Sequence, residues 1–344
     1  MVEQKVISIC IPTYNRGKLL GETMKNICEE YESLPQYYKN KVELCISDNA
    51  SVDNTSDLVK SFAKKSSIDI KFNVNPQNIG LDRNFLKAVD LASGQYIWFL
   101  GSDDKIRIGG LRFVMEFLII NKEIDILVMN SLEMGGNNNV PTLLIAEQLN
   151  ERILYYKGHF ESALNVIEFL GYMSILCFRK TLWNGIDKYE QFVGTQYIHV
   201  FKLLSMIRDG AKVANILEPR IILYRANNDS VLKEHGLMKR MVFTLESFYI
   251  IPSAVFGRNT KEHKKLSLRI IKHDFPSLYL AISSIRMNIR DRGMLIKNFL
   301  KYYWRYPILY LKILPPLLMP FGSNGKFLFS VDFEKVISKM KKNE

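Results

Sequence analysis

The sequence predicts an α/β fold built on a mostly parallel sheet and followed by a C-terminal amphipathic helical region. Three observations predict it. Short apolar runs rich in β-branched residues alternate with amphipathic helical patterns up to about residue 130. Each of the main early runs stops at a polar cluster: 6–11 at Pro12-Thr13-Tyr14-Asn15-Arg16, 42–47 at Asp48-Asn49, and 96–100 at Gly101-Ser102-Asp103-Asp104. Open α/β sheets bind ligands at the carboxyl ends of their strands, so this pattern places a site on that edge. Beyond about Val231 the composition turns to long amphipathic helices, which divides the chain into an α/β domain, residues 1–230, and a helical region, residues 231–344.

The 344 residues are 47% hydrophobic and 24% charged, which suits a large buried core and argues against disorder. A formal charge of +12 calls for an anionic partner: nucleic acid, a membrane surface or a phosphorylated small molecule. The chain enters its first strand without the basic, apolar and small-residue pattern of a leader, which reads as a cytosolic start. Cys10, Cys28, Cys45 and Cys177 show no C-x-x-C spacing and fall mostly in apolar runs, so neither disulfides nor a zinc site is expected.

The first strand, 6–11, is expected to close at Pro12, where the backbone donor is lost. A polar loop and a helix over 17–30 follow, with Leu19, Leu20, Met24 and Ile27 on one face. The second strand, 42–47, ends at Asp48, which is well placed to accept hydrogen bonds from a ribose or base edge. Asp53 and Thr55 read equally as caps of the helix that runs to about Lys65. A third strand over 68–74, a turn at Asn78-Ile79-Gly80 and a helix over 82–92 lead to the strand that delivers Asp103 and Asp104. Two adjacent carboxylates repel one another, and a divalent cation shared with a diphosphate is their natural partner; the alternative is that they cap the next helix.

Four stations together carry a family resemblance: Pro12-Thr13-Tyr14-Asn15-Arg16, Ser47-Asp48-Asn49-Ala50-Ser51-Val52-Asp53-Asn54-Thr55, Asn78-Ile79-Gly80 with Arg83-Asn84, and Ser102-Asp103-Asp104. In this order and spacing they resemble glycosyltransferase family 2 over residues 5–110, and within it the O-antigen and capsule sugar transferases of the abequosyltransferase-like sub-group. The resemblance implies a GT-A nucleotide-binding sandwich that holds a nucleoside-diphosphate sugar and Mg2+ or Mn2+. It implies that Pro12, Tyr14 and Asp48 line the nucleotide pocket, that Arg16 and Arg83 lie near the ribose or phosphates, and that Ser102, Asp103 and Asp104 meet the donor. The metal would rest on Asp103 and Asp104, and which of them ligates directly stays open. Where the family often has a further acid, this chain has Gly101, a variant that the sub-group tolerates. The implied reaction is inverting transfer to a glycan or polyprenyl-linked acceptor in surface polysaccharide synthesis. A catalytically inactive relative and a sugar nucleotidyltransferase are the alternatives; the second would want a Gly-rich phosphate loop, which 12–17 is not.

Residues 171–180 resemble the strand before the family's acceptor helix, and about 131–160 is where acceptors are recognised. The acidic segment that usually follows, carrying the general base, is replaced by Phe192-Val193-Gly194-Thr195-Gln196-Tyr197-Ile198-His199. His199 shares a helix face with Gln196 at i, i+3 and is the substitute base; Asp187 and Glu190 stand in reserve, and a buried structural histidine is the plainer alternative. Residues 211–217 and 220–224 read as paired strands that close the domain. Arg225 then resembles the arginine of a family stretch near the leaving diphosphate, although a surface salt bridge explains it as well. From Arg286 to Arg305, basic residues interleave with Met294, Leu295, Ile296, Phe299, Tyr302, Tyr303 and Trp304, the composition of a helix lying in a membrane interface. Residues 306–321 are more apolar but are broken by Lys312 and four prolines, so the expectation is docking on the cytoplasmic face of the cell membrane without insertion. That apolar fraction is too high for a phosphate-tracking surface, and nucleic acid is not expected as a partner.

Overall fold

The computed structural model describes residues 4–134, 142–143, 153–156, 158–224, 230–275 and 289–318. Its contacts divide the chain into Met1–Ile270 and Ile271–Glu344, so the boundary falls well beyond the composition change near residue 230.

In the first unit one sheet runs in the order β3-β2-β1-β4-β9-β6-β10-β5. Its first block is parallel: β1 (Ile7–Thr13) lies between β2 (Val42–Asp48) and β4 (Tyr96–Phe99), with β3 (Asp69–Val74) outside β2. β1 and β2 are buried throughout, as strands covered on both faces must be. The crossovers are α1 (Gly17–Glu32), with a four-residue α2 (Gln36–Lys39) after it, α3 (Thr55–Ala63) and α4 (Leu81–Leu91). β1 continues through Pro12, contrary to the expected stop. Its ladder with β4 ends at the Cys10–Phe99 pair, so the missing N–H falls just beyond the place where that neighbour needs it.

The second half of the sheet is mixed. After β5 (Lys105–Ile106), α5 (Gly110–Ile120) leads to β6 (Ile126–Met134), which short β7 (Thr142–Leu143) pairs antiparallel. β8 (Ile153–Tyr155) and α6 (His159–Val166) follow. A 3₁₀ turn at Met173–Ile175 feeds β9 (Leu176–Arg179), which enters between β4 and β6 antiparallel to both. Beyond α7 (Lys180–Asn184) and a 3₁₀ turn at Glu190–Phe192 come α8 (Ile198–Arg208) and β10 (Val213–Tyr224). β10 corrects the expected pair of strands. It is one strand, parallel to β6, whose register shifts between Ile216 and Ile221 around Pro219. That proline marks the irregularity within a strand, not a turn between two.

α9 (Ser230–Phe256) belongs with the sheet: its Thr244 meets the Tyr197 hydroxyl at 3.0 Å, and Ser247 Oγ donates to the Thr195 carbonyl at 3.2 Å. α10 (Lys261–Asp274) follows, and Arg269 grips Glu168 through two bonds of 2.9 Å. All four cysteines are free.

The second unit is helical, with α11 (Ile289–Tyr303), a π-helical turn at Leu309–Ile313 and α12 (Leu314–Leu318). Leu295, Phe299, Tyr303, Leu309, Ile313 and Leu317 are buried. Met294 and Leu300, on the opposite face of α11, and Trp304, just past its end, are exposed together with Lys297 and Lys301. No helix among the described residues is long and apolar enough to cross a membrane.

Candidate active site

The carboxyl ends of β1, β2 and β4 carry three of the sequence stations onto one edge. Thr13 and Asp48 are register partners at the ends of β1 and β2, and both side chains are buried. Asp48 Oδ1 accepts the Ser51 N–H at 3.1 Å and the Ser51 hydroxyl. Asp48 Oδ2 and Thr13 Oγ1 have no hydrogen-bond partner. These two atoms lie at adjacent strand ends on the carboxyl edge of the sheet, the edge at which open α/β sheets bind ligands.

The loops beside these atoms are latched to each other. Asn15 N–H donates to Ser51 Oγ and Val52 N–H to Asn15 Oδ1, both at 2.8 Å. Asn15 and Ala50 hold left-handed backbone, φ 50° and 61°, and for Ala50 that conformation costs about 1 kcal/mol or more. Asp53 is structural: Oδ2 accepts the Gly17 N–H at 2.9 Å and Oδ1 the Thr55 N–H at 3.1 Å, so one carboxylate serves the starts of α1 and α3. Pro12 is buried at the end of β1, and Tyr14 is half-buried in the loop.

The third station supports this edge from beneath. Asn84 Nδ2 donates to the carbonyls of Ser47 and Thr13 at 3.0 and 3.3 Å, and its Oδ1 accepts from Ser47 Oγ at 2.7 Å. Asn49 Nδ2 donates to Asn78 Oδ1 at 2.7 Å, and Asn49 Oδ1 accepts the Ile79 N–H at 2.9 Å. The turn 78–80 is thereby tied to the end of β2. Arg83 pairs with Glu190 at 2.9 Å, and both side chains are exposed.

At the end of β4 the backbone turns back on itself. Asp104 is 8% exposed, and its Oδ2 accepts the Ser174 hydroxyl at 2.5 Å, while Ser174 Oγ accepts the Gly101 N–H at 2.8 Å. A Cβ on Gly101 would stand 2.6 Å from Asp104 Oδ2 and 3.1 Å from Asp103 Oδ1. The departure from the family pattern thus has a steric meaning: glycine leaves room for both carboxylates over one point. Arg16 Nη1 lies 3.1 Å from Asp103 Oδ2 and 3.5 Å from Ser102 Oγ, which joins the first station to the fourth. Two oxygen-bearing side chains converging there fit a hard divalent cation that takes its other ligands from diphosphate and water. Among the described residues no group of three or more His, Cys, Asp or Glu side chains gathers to hold a metal alone.

The segment 192–199, expected to face the acceptor, differs most from expectation. His199 is 2% exposed, its ring 5.2 Å from that of Phe85, and neither ring nitrogen has a hydrogen-bond partner. Burial pushes its pKa down to about 4, with the backbone of Leu170 and Gly171 pulling weakly the other way. In this structure the imidazole is enclosed in the core, where desolvation favours its neutral form, and its ring lies against Phe85 and Tyr197. Gln196 is not its helical neighbour, because α8 begins at Ile198 and Gln196 sits before it at φ 68°.

What organises the segment is Asp82, which the sequence reading passed over. This 2% exposed carboxylate in the first turn of α4 accepts N–H bonds from Gly194 at 2.7 Å, Gln196 at 2.9 Å and Ile198 at 3.2 Å. Burial raises its pKa, and those three N–H groups hold the rise in check. Asp187 and Glu190 are exposed. Arg225 lies outside the described residues, as do 135–141 and most of the stretch to 152.

A family model described as glycosyl transferase family 2 matches residues 8–181, just over half of the chain. The chain is 27% identical over 286 residues to abequosyltransferase RfbV of Salmonella typhimurium, covering 81% of this chain and 83% of that protein. Among solved structures, Staphylococcus aureus TarS 1–349 in complex with UDP-GlcNAc matches with a TM-score of 0.64 at 15% identity, over 91% of this chain and 89% of that one. The mannosyltransferase PcManGT of Pyrobaculum calidifontis, in complex with GDP-Man and Mn2+, matches with a TM-score of 0.53 at 14% identity, over 92% and 85%. At such identities the structural likeness speaks for the fold, and it bears out the GT-A architecture.

Proposed function

The chain belongs to glycosyl transferase family 2, and we propose that it transfers a sugar from a nucleoside diphosphate to a hydroxyl of a glycan or lipid-linked saccharide, in the synthesis of a surface polysaccharide. One observation carries the reading. The orphaned Asp48 Oδ2 and Thr13 Oγ1 share a sheet edge with the Arg16, Asp103 and Asp104 cluster, so base or ribose recognition and diphosphate recognition stand side by side. Similarity to the abequosyltransferase of Salmonella typhimurium supports sugar transfer, and the TarS structure in complex with UDP-GlcNAc supports a nucleoside-diphosphate sugar as donor.

Within this reading Asp48 accepts hydrogen bonds from the base or ribose, with Pro12 and Tyr14 forming the wall of the pocket. Arg16 turns its planar fork of donors to the phosphate oxygens. Asp103 and Asp104 are the residues that would hold Mg2+ or Mn2+, which when bound neutralises charge on the leaving diphosphate. Ser174 keeps the Asp104 carboxylate aimed by donating to Oδ2. Displacement at the anomeric carbon is direct, with inversion, and the proton acceptors to consider are the exposed carboxylates Asp187 and Glu190. Arg83 and Arg225 remain proposed donor contacts, with Arg83 exchanging Glu190 for phosphate. The outward face of α11, with Trp304 and Lys297, supports peripheral attachment to the inner face of the cell membrane.

Titration calorimetry with UDP, CDP and GDP, with and without Mn2+, tests the proposal. One of the three binds more tightly with the metal, and Asp103→Asn or Asp104→Asn removes the metal's contribution while the fold stays intact. Unchanged affinity in both variants contradicts the metal assignment, and no binding of any nucleotide contradicts the donor site.

A further inference from the structure

Three consecutive residues in the first turn of α4 reach into both halves of the site. Asn84 braces the donor edge by donating to the carbonyls that end β1 and β2. Arg83, between them, reaches Glu190. Asp82 gathers the N–H groups of Gly194, Gln196 and Ile198, more than a hundred residues away in sequence. Those N–H groups converge because Gly194 and Gln196 take left-handed backbone, φ 94° and 68°, and for Gln196 such a conformation persists only where its surroundings enforce it. Bonds from backbone N–H to a buried carboxylate are short, strong and directional.

We propose that Asp82 is a positioning residue that fixes the acceptor-side loop, 194–198, against the donor pocket, so that the acceptor hydroxyl is presented to the donor sugar. The inference rests on the glycosyltransferase reading given above. Asp82 is not a proton acceptor for substrate: it is 2% exposed, and the N–H groups of the loop take up both of its oxygens. Its charge acts on the loop, and the loop acts on the acceptor. α4 is also the element that holds the donor edge, so the two substrates are registered through a single helical turn. A displacement of about 1 Å at such a joint costs on the order of 100-fold in rate, far more than the loss of any single contact on the surface.

The test compares the wild-type protein with Asp82→Asn, which keeps the volume, and Asp82→Ser, which keeps a small acceptor. Nucleoside diphosphate affinity is measured by calorimetry, and release of nucleoside diphosphate from a sugar-nucleotide panel is measured in water alone and with methyl hexopyranosides as probe acceptors. The expected result is nucleotide affinity and release in water within about 2-fold of wild type, with the acceptor-stimulated part lower by roughly 10- to 100-fold in kcat/KM for the probe. Acceptor-stimulated turnover within about 2-fold of wild type overturns the inference, and so does an equal fall in nucleotide affinity, which would make Asp82 a general structural support. Loss of near-ultraviolet circular dichroism in both variants also overturns it, because the carboxylate would then be a condition of folding. A wild-type protein that releases nucleoside diphosphate from no donor contradicts the underlying reading instead.

Discussion

Replacing Asp48 by Asn should move stability and ligand affinity in opposite directions. In the unliganded protein Asp48 Oδ1 is held by Ser51, whereas Oδ2 is buried with no partner. An unsatisfied buried polar atom costs about 1–3 kcal/mol, and more when it belongs to a charged group. Asn keeps the Oδ1 acceptor for Ser51 and replaces the orphaned carboxylate oxygen by a neutral amide. The unliganded variant should therefore equal wild type in stability or exceed it by up to about 1 kcal/mol, a rise of roughly 2–4 °C in Tm for a unit of this size. A hydrogen bond to a charged group contributes about 1.5–3 kcal/mol, so the variant should bind nucleoside diphosphate roughly 10- to 100-fold more weakly. Thermal denaturation with and without nucleotide reads both effects. At a nucleotide concentration of about 100 times the wild-type Kd, the wild type gains about 2.7 kcal/mol, and a variant weakened 30-fold gains less than about 1 kcal/mol. A loss of more than about 2 kcal/mol in the unliganded variant would show that Asp48 is chiefly a cap for the 49–52 loop, and undiminished stabilisation by nucleotide would remove it from the pocket.

Other expectations follow from the same structure. Burial alone would raise the carboxyl of Glu43, but donation from Ser8, Ser93 and Lys71 outweighs it and holds the pKa at about 2 against an ordinary 4.5. Its folded pKa is depressed, so its stabilisation of about 3 kcal/mol is complete above the unfolded value and disappears as pH falls from about 4.5 to about 2. Glu43→Gln should lose about that much at pH 7 in chemical denaturation, and a variant as stable as wild type at pH 7 would contradict the network. His199→Gln should leave the acidic limb of the pH–rate profile where it was, since the wild-type imidazole, at about 4, is neutral throughout the working range; a displaced limb would restore it to catalysis. Neutralising Lys297 and Lys301 together with Arg305 should shift the protein from vesicles rich in anionic lipid to the supernatant. Binding of the unaltered chain should weaken as salt rises, and salt-independent pelleting would contradict interfacial docking.

Much of the nucleotide-binding half was legible because local signals and tertiary demands agree there. β1, β2 and β4 are buried on both faces and read as unbroken apolar runs, and the loops at their ends bear the polar residues that form the site. The mixed half of the sheet was less legible. β5, β7 and β9 span two to four residues each, too short for periodicity, and nothing in the residues 176–179 records that their strand enters antiparallel between two distant partners. Pro12 misled because a proline interrupts a strand only where a neighbour requires its N–H, and the gap between 217 and 220 is a register shift inside one strand. At the site, Ser174 gave no signal because its partners lie 70 and 73 residues upstream. The depth of His199 was not legible either, because it belongs to the packing of Phe85 and Tyr197 around the ring. Asp82 looked like any acid in a first helical turn, and only the folded chain shows that the helix it serves is α8.

The most direct test of a donor site at this edge is release of nucleoside diphosphate from a panel of UDP-, CDP- and GDP-sugars, with Mn2+ or Mg2+, by the wild-type chain and by Asp104→Asn. One donor class should be consumed by the wild type, chelation of the metal should suppress the reaction, and Asp104→Asn should lower it by at least about 100-fold without loss of fold. Turnover by Asp104→Asn equal to wild type, or nucleotide binding that leaves Asp48 and Asp104 unprotected in hydrogen exchange, would contradict a donor site at the ends of β1, β2 and β4.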